Sequence, residues 1–272
     1  MFFEFGGGDF LKLLLSSVVF DLPLREGDIT QAGLIDLAEV YGLAGLELRD
    51  AYWLGEETEL ETTKSQLWAG DYDVVYATGD ILLAESLAAS LTALENMLRN
   101  ITVAAKIGAR ILRINPGLME HAAIFEEQAY RELMARVEEE SRELGITLAL
   151  ENPPQTEAGS IMALNRVFIQ FPFIKMTFDT GNWQLAGEDP LAALDVHMKR
   201  VAYVHLKDVV KEGDTWRFCA PGSGTVPFKK IIAKLTKANY AGYFALEFNG
   251  GADPAASLAA ALQYVRGIGN GE

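Results

Sequence analysis

The sequence predicts an α/β fold, a single (β/α)8 TIM barrel over residues 1–272. Two observations carry this expectation. Strand and helix signals alternate from end to end, with no linker or low-complexity stretch between them. Four apolar runs in the second half each stop at a metal-competent side chain: 146–150 at Glu151, 175–178 at Asp179, 201–204 at His205 and 243–246 at Glu247. Short apolar runs bounded by breakers mark strands buried on both faces, as in parallel sheets. A barrel gathers its strand ends at one mouth, whereas a doubly wound sheet places its site at one switch point.

The elements follow in order. The first strand is expected at about 11–19, and the start, Met1 to Phe20, reads as a first strand rather than a signal peptide, because it carries Glu4 and Asp9 and no basic region precedes Leu13-Leu14-Leu15. Asp28 or Thr30 caps a helix to Tyr41, stopped by Gly42. Strand two is 43–48 and an acidic helix follows near 57–69. Strand three is 72–76, then a long amphipathic helix runs from 84 to 107 and ends at Gly108. Strand four, 110–114, runs into Asn115-Pro116-Gly117, and a helix over 122–144 ends at Gly145. The four site-bearing strands are separated by helices near 159–170, 190–198 and 228–238, and a helix at 254–265 closes the chain.

Counting back by two from each terminal site residue gives the strand facing. Ala149, Thr147, Thr177, Lys175, Tyr203, Val201, Ala245 and Tyr243 then point inward. Leu150, Leu148, Phe178, Met176, Val204, Ala202, Leu246 and Phe244 point outward. The outward set is wholly apolar, as helices packed over a barrel require.

Composition excludes several classes. A net charge of −15 opposes binding to phosphate backbones, so no nucleic-acid partner is expected. No apolar run reaches the roughly 18 residues of a membrane span. The single Cys219 forbids an intramolecular disulfide framework and fits a reducing cytoplasm. Three carboxylates and an imidazole at strand ends form an oxygen-rich set with one nitrogen. Such a set suits one divalent metal ion, Mn²⁺, Mg²⁺ or Co²⁺ better than structural zinc, though Zn²⁺ is also compatible.

The stretches LALENPP, MTFDTGNWQLAGEDP, RVAYVHLKD, APGSGTVPF and GYFALEF resemble the xylose-isomerase-like TIM barrels, and YGLAGLEL and AAKIGARILRINPG are similar to their second and fourth strand regions. That superfamily includes sugar phosphate isomerases and epimerases, ketose 3-epimerases, inosose dehydratases and a nuclease branch. The resemblance implies that Glu151, Asp179, His205 and Glu247 are metal ligands and that Glu151 and Glu247 act as acid and base on opposite faces of a substrate. It also implies a substrate contact at Glu157, a position that equally suits a helix N-terminal acid. The chain departs from the pattern at Asn182, where a histidine is common, and at Asn115 and Pro153. With only His121, His197 and His205 present, a trinuclear nuclease centre lacks ligands.

Other polar residues have two readings each. Lys207 shares the facing of His205 and reads as a substrate contact or a solvated loop lysine. Arg113 and Glu47 read as an ion pair across the barrel. Arg217 resembles a substrate arginine of some epimerases, Asn182 and Asn115 remain candidate polar contacts, and Trp53, Trp183 and Trp216 sit in loops that wall a pocket or pack on their own helices. Gly222 and Gly224 serve a turn before the helix at Phe228. The resulting expectation is a metal-dependent sugar or polyol isomerase or epimerase working through an enediolate formed next to a carbonyl. The alternatives are a dehydratase on an inosose or 3-keto sugar and a silent sugar-binding barrel. A homo-oligomer is compatible with the sequence.

Overall fold

Eight parallel strands close on themselves. A computed structural model describes residues 11–154 and 157–269 of the chain; the first half of the stretch Met1 to Phe20 read as the first strand lies outside the described residues. The ring consists of β1 (Lys12–Ser16), β2 (Gly45–Arg49), β3 (Asp73–Leu83), β4 (Ile111–Gly117), β5 (Thr147–Glu151), β6 (Lys175–Asp179), β7 (Val201–Leu206) and β10 (Tyr243–Leu246), which returns to β1. Between the last two, β8 (Asp208–Glu212) and β9 (Thr215–Cys219) make a separate antiparallel hairpin. The helices are α1 (Asp21–Glu26), α2 (Gly33–Val40), α3 (Glu56–Ala69), α4 (Leu87–Lys106), α5 (Gln128–Glu143), α6 (Ile161–Gln170), α7 (Asn182–Leu185), α8 (Pro190–His197), α9 (Phe228–Lys237) and α10 (Pro254–Gly269).

The two faces of the strands build two cores. Leu14, Val75, Ile111, Ala149, Tyr203 and Ala245 fill the barrel interior. Leu148, Leu150, Met176, Phe178, Val204, Leu206, Phe244 and Leu246 pack outward against the helices. The period-two count therefore holds, with one exception. Val201 joins the outer layer, because the β6–β7 pairing slips between Met176↔Val201 and Thr177↔Tyr203. Helix α9 shows how the outer layer is covered: Phe228, Ile231, Ile232 and Leu235 are buried while Lys230 and Lys234 are not. Burying each such aliphatic side chain is worth about 1.5–3 kcal/mol.

Besides the short helices α1 and α7, which the sequence reading does not contain, three features differ from expectation. β3 runs on to Leu83 through an irregular register between Ala77 and Ile81, since Asp80 and Thr78 bond each other there and break the apolar pattern. The helix expected at 122–144 begins at Gln128, preceded by a 3-10 segment, Met119–Glu126. The hairpin β8–β9 was not anticipated. It is anchored by Asp208, whose carboxylate accepts N–H groups from Val209, Gly222, Gly224 and Val226 at 2.8–3.0 Å. A side chain at Gly224 would place its Cβ 2.4 Å from Asp208 Oδ1, which is why glycine stands there.

Candidate active site

Strand register brings the predicted residues together. Asp179 lies beside His205 across β6–β7, and His205 beside Ala245 across β7–β10, two positions before Glu247. All four predicted ligands are buried: Glu151, Asp179, His205 and Glu247. Ligand atoms of Glu151, Asp179 and His205 all lie within 4.8 Å of one another. His205 Nδ1 is 3.3 Å from Glu151 Oε1 and 3.8 Å from Asp179 Oδ2. Lys207 Nζ joins Glu247 to the group, at 2.9 Å from Asp179 Oδ2 and 2.5 Å from Glu247 Oε2.

The local sequence fixes these side chains. Asp179 Oδ1 accepts the N–H groups of Gly181 and Asn182 at 2.9 and 2.8 Å, capping the turn into α7 and leaving Oδ2 toward the site. Glycine suits this turn, since a Cβ at position 181 would sit 3.0 Å from Lys207 O and 3.1 Å from Val209 Cγ1, a tight fit. Asn152 exchanges two hydrogen bonds with the backbone of Asp179, at 3.1 and 2.9 Å, and so ties the end of β5 to the end of β6. Asn182 Nδ2 donates to Asn152 O at 2.8 Å and approaches Glu151 Oε1 at 3.4 Å.

Basic residues balance the acids. Arg113 Nε lies 3.1 Å from Glu151 Oε2, and Arg49 Nη2 lies 2.5 Å from Glu247 Oε1 and 3.2 Å from Glu47 Oε1. His205 Nε2 is 2.5 Å from Glu47 Oε2. Four carboxylates thus meet three permanent cations and one imidazole. Burial opposes ionisation of Glu151, but Arg113 and then His205 hold its carboxyl well below the usual range. Glu247 is likewise lowered against burial, by Lys207 and Arg49. For Asp179, burial prevails over Lys207 and the carboxyl is pushed up. His205 is held well above the ordinary histidine value, Glu47 and Glu151 outweighing burial.

The remaining predicted contacts divide. Lys207 and Asn182 belong to the cluster. Asn115 stands one step back: its Oδ1 accepts from Arg113 Nη1 at 3.2 Å, and its Nδ2 donates toward Thr78 O and Asp80 O. Arg217 is exposed on the hairpin and pairs with Glu212 at 2.6 Å, on the same hairpin. Glu157 is exposed and lines a separate groove with Met119, Ala122, Met162 and Arg166. The expected Arg113–Glu47 pair is corrected: Arg113 bonds Glu151, while Glu47 bonds His205 and Arg49. Of the loop tryptophans, Trp183 is fully buried against Phe178 and His197, so it packs and walls no pocket.

Arg49 and Asn152 escaped the sequence reading. A signal for the first was present. In Gly45-Leu46-Glu47-Leu48-Arg49 the two charged residues alternate with leucines, so both face the barrel interior. Asn152 carries no such signal, because its role depends on a partner backbone 27 residues away.

The donor set fits a hard divalent cation. Three ligand atoms converge, two of them carboxylate oxygens and one an imidazole nitrogen, the donor types that a divalent ion takes. The Lys207 ammonium already lies against Asp179 and Glu247, so this end of the site is shaped to receive positive charge.

Breaking the Arg113–Glu151 pair should be costly, because it strands a buried carboxylate. Arg113→Met is expected to lower unfolding free energy by about 3–5 kcal/mol at neutral pH, read by urea titration. The folded-state value of Glu151 is depressed, so its stabilisation is present above the ordinary value of 4.5 and is lost as pH falls below it. The gap between wild type and variant should therefore shrink on acidification. A gap that widens would contradict the pair.

A family model described as xylose isomerase-like TIM barrel matches residues 35–268. The rhizopine catabolism protein MocC of Rhizobium meliloti is 26% identical over 230 residues, covering 78% of this chain and 65% of that protein. Inosose dehydratase of Bacillus cereus (strain AH820) is 33% identical over 89 residues, covering 27% of this chain and 30% of that protein. The chain thus spans under two thirds of the length of these relatives. The crystal structure of a D-tagatose 3-epimerase-like protein superposes with a TM-score of 0.76 at 16% identity, covering 96% of this chain and 99% of the other, a likeness of fold. No helix among the described residues is long and apolar enough to cross a membrane.

Proposed function

Because the chain belongs to the xylose isomerase-like TIM barrel family, we propose that it is a divalent-metal-dependent isomerase or epimerase of a sugar or polyol. The observation that carries this reading is the buried Glu151, Asp179 and His205 group at three successive strand ends, flanked by Glu247. A bound divalent ion would supply Lewis acidity at a substrate carbonyl, making the neighbouring C–H bond more acidic. Glu151, Asp179, His205 and Glu247 would hold it, with Mn²⁺, Mg²⁺ or Co²⁺ the ions best matched to the donors.

The chain's own residues handle the proton. Glu151 and Glu247 stand at the two ends of the arc β5-β6-β7-β10, with Asp179 and His205 between them. Both are held in the unprotonated form that a general base must have, by basic neighbours. Lys207 Nζ and Asn182 Nδ2 are donors beside these carboxylates and are our candidates for gripping substrate oxygens. Asn115 holds Arg113, and this reading assigns no role to Glu157 or Arg217, which lie outside the cluster. The single Cys219, free in the structure, suits a reducing cytoplasm.

A second reading is favoured by the inosose dehydratase relative: the same proton abstraction followed by loss of hydroxide. Incubation with candidate ketoses and inososes in D₂O separates the outcomes. An isomerase or epimerase should place deuterium on the carbon next to the carbonyl with mass otherwise conserved, and a dehydratase should give product lighter by one water. Products are also followed by chromatography, since a shielded carboxylate can return the same proton. Neither exchange nor product across the panel, with ligand still raising the melting temperature, would replace the enzyme reading with a binding protein.

A further inference from the structure

Glu47 belongs to β2, across the barrel from β7, yet its carboxylate meets the ring of His205. Resting on the metal-site reading above, we infer that Glu47 is a positioning residue that fixes which nitrogen of His205 faces the metal. An imidazole ligates through the nitrogen that carries a lone pair, and its other nitrogen is set by the hydrogen bond it makes. In the structure Nε2 lies 2.5 Å from Glu47 Oε2, while Nδ1 faces Glu151 Oε1 at 3.3 Å and Asp179 Oδ2 at 3.8 Å. An ionised carboxylate only accepts. Nε2 therefore keeps its hydrogen toward Glu47, and Nδ1, on the side of Glu151 and Asp179, is the nitrogen from which an arriving metal ion would displace the proton.

Glu47 is itself built into place. It is fully buried. Ser16 Oγ donates to Oε1 at 2.6 Å and Arg49 Nη2 reaches the same oxygen at 3.2 Å, so Oε2 remains for His205. Ser17 Oγ donates to the Glu47 carbonyl at 2.8 Å and pins the backbone. Tyr203 stands edge-on to the His205 ring, with centroids 5.0 Å apart, and restricts its rotation. Ser16 and Glu47 are register partners across β1–β2, so the relay reaches His205 through residues held in regular strands. A carboxylate placed only to neutralise charge would need none of this orientation.

The test uses the full chain labelled with ¹⁵N at histidine and loaded with Zn²⁺ alone, which is diamagnetic. Only three histidines exist, so the His205 ring can be assigned by its absence in His205→Gln. Two-bond ¹H–¹⁵N spectra of wild type should show a protonated Nε2 and a metal-bound Nδ1. Calorimetric titration should show Mn²⁺ binding weakened roughly 10- to 100-fold in Glu47→Gln and at least as much in Glu47→Ala, with circular dichroism unchanged. Zinc on Nε2 in wild type, or folded Glu47→Gln protein that binds Mn²⁺ as tightly as wild type, would overturn the assignment while leaving the metal site standing. Wild type that binds neither ion would remove the metal site and this inference together. If Glu47→Ala does not fold, Glu47→Gln and the wild-type spectrum still decide.

Discussion

The Glu151→Gln, Asp179→Asn double variant should leave purification without divalent metal, whereas wild type prepared without chelator should carry about one equivalent, as fits a single site. The substitutions keep shape and remove charge. After Asp179→Asn, the side-chain amide oxygen can still cap the turn into α7, because the N–H groups of Gly181 and Asn182 bond only Oδ1. At position 151 the amide loses the ion pair with Arg113. Two of the three converging ligand atoms become weak neutral donors, and affinity should fall more than about 100-fold, beyond the 10- to 100-fold typical of losing an outer partner. Elemental analysis reads the result, with circular dichroism to show that the barrel survives. Equal metal content in the two proteins would sink the site.

Glu247→Gln should cost deuterium exchange and turnover about 10²- to 10⁴-fold, the usual contribution of a positioned acid or base. Glu247 is held between Arg49 and Lys207, both at 2.5 Å, so its carboxylate is oriented and ionised. The amide retains an oxygen for the metal and for these donors but cannot take a proton. Metal content should therefore fall much less than turnover. Exchange undiminished in this variant, with metal still bound, would mean that the proton travels by another route and that the role given to Glu247 is wrong. The same variant separates a base from a ligand, since loss of metal without an additional catalytic defect would make Glu247 a ligand alone.

Much of this site was legible because strand geometry is periodic. Once Glu151, Asp179, His205 and Glu247 each end a buried run, parallel pairing places them at one mouth, and the period-two count extends the prediction to Lys207. The count worked for Ala149, Tyr203 and Ala245, which do fill the interior. It failed at Val201, where a slip in register breaks the alternation. The loops resisted prediction. Arg217 pairs with Glu212 on its own hairpin, and Glu157 lies in a separate groove, because loop direction follows from local bonds that a strand count does not contain.

By itself, the sequence determined the barrel and most of the facing of its strands, and it singled out the charged side chains that end them as the candidate set, since each follows from hydrophobic periodicity and from the cost of ending a buried run in a charge. Which charge meets which was decided only by the tertiary structure. Arg113 faces inward, as the alternation requires, yet it bonds Glu151 rather than Glu47, and Glu47 crosses to His205, 158 positions along the chain. Periodicity gives the face on which a side chain lies. Closure and stagger of the ring decide the distance between side chains on that face, and the partners of a buried charge are chosen by distances of a few ångströms.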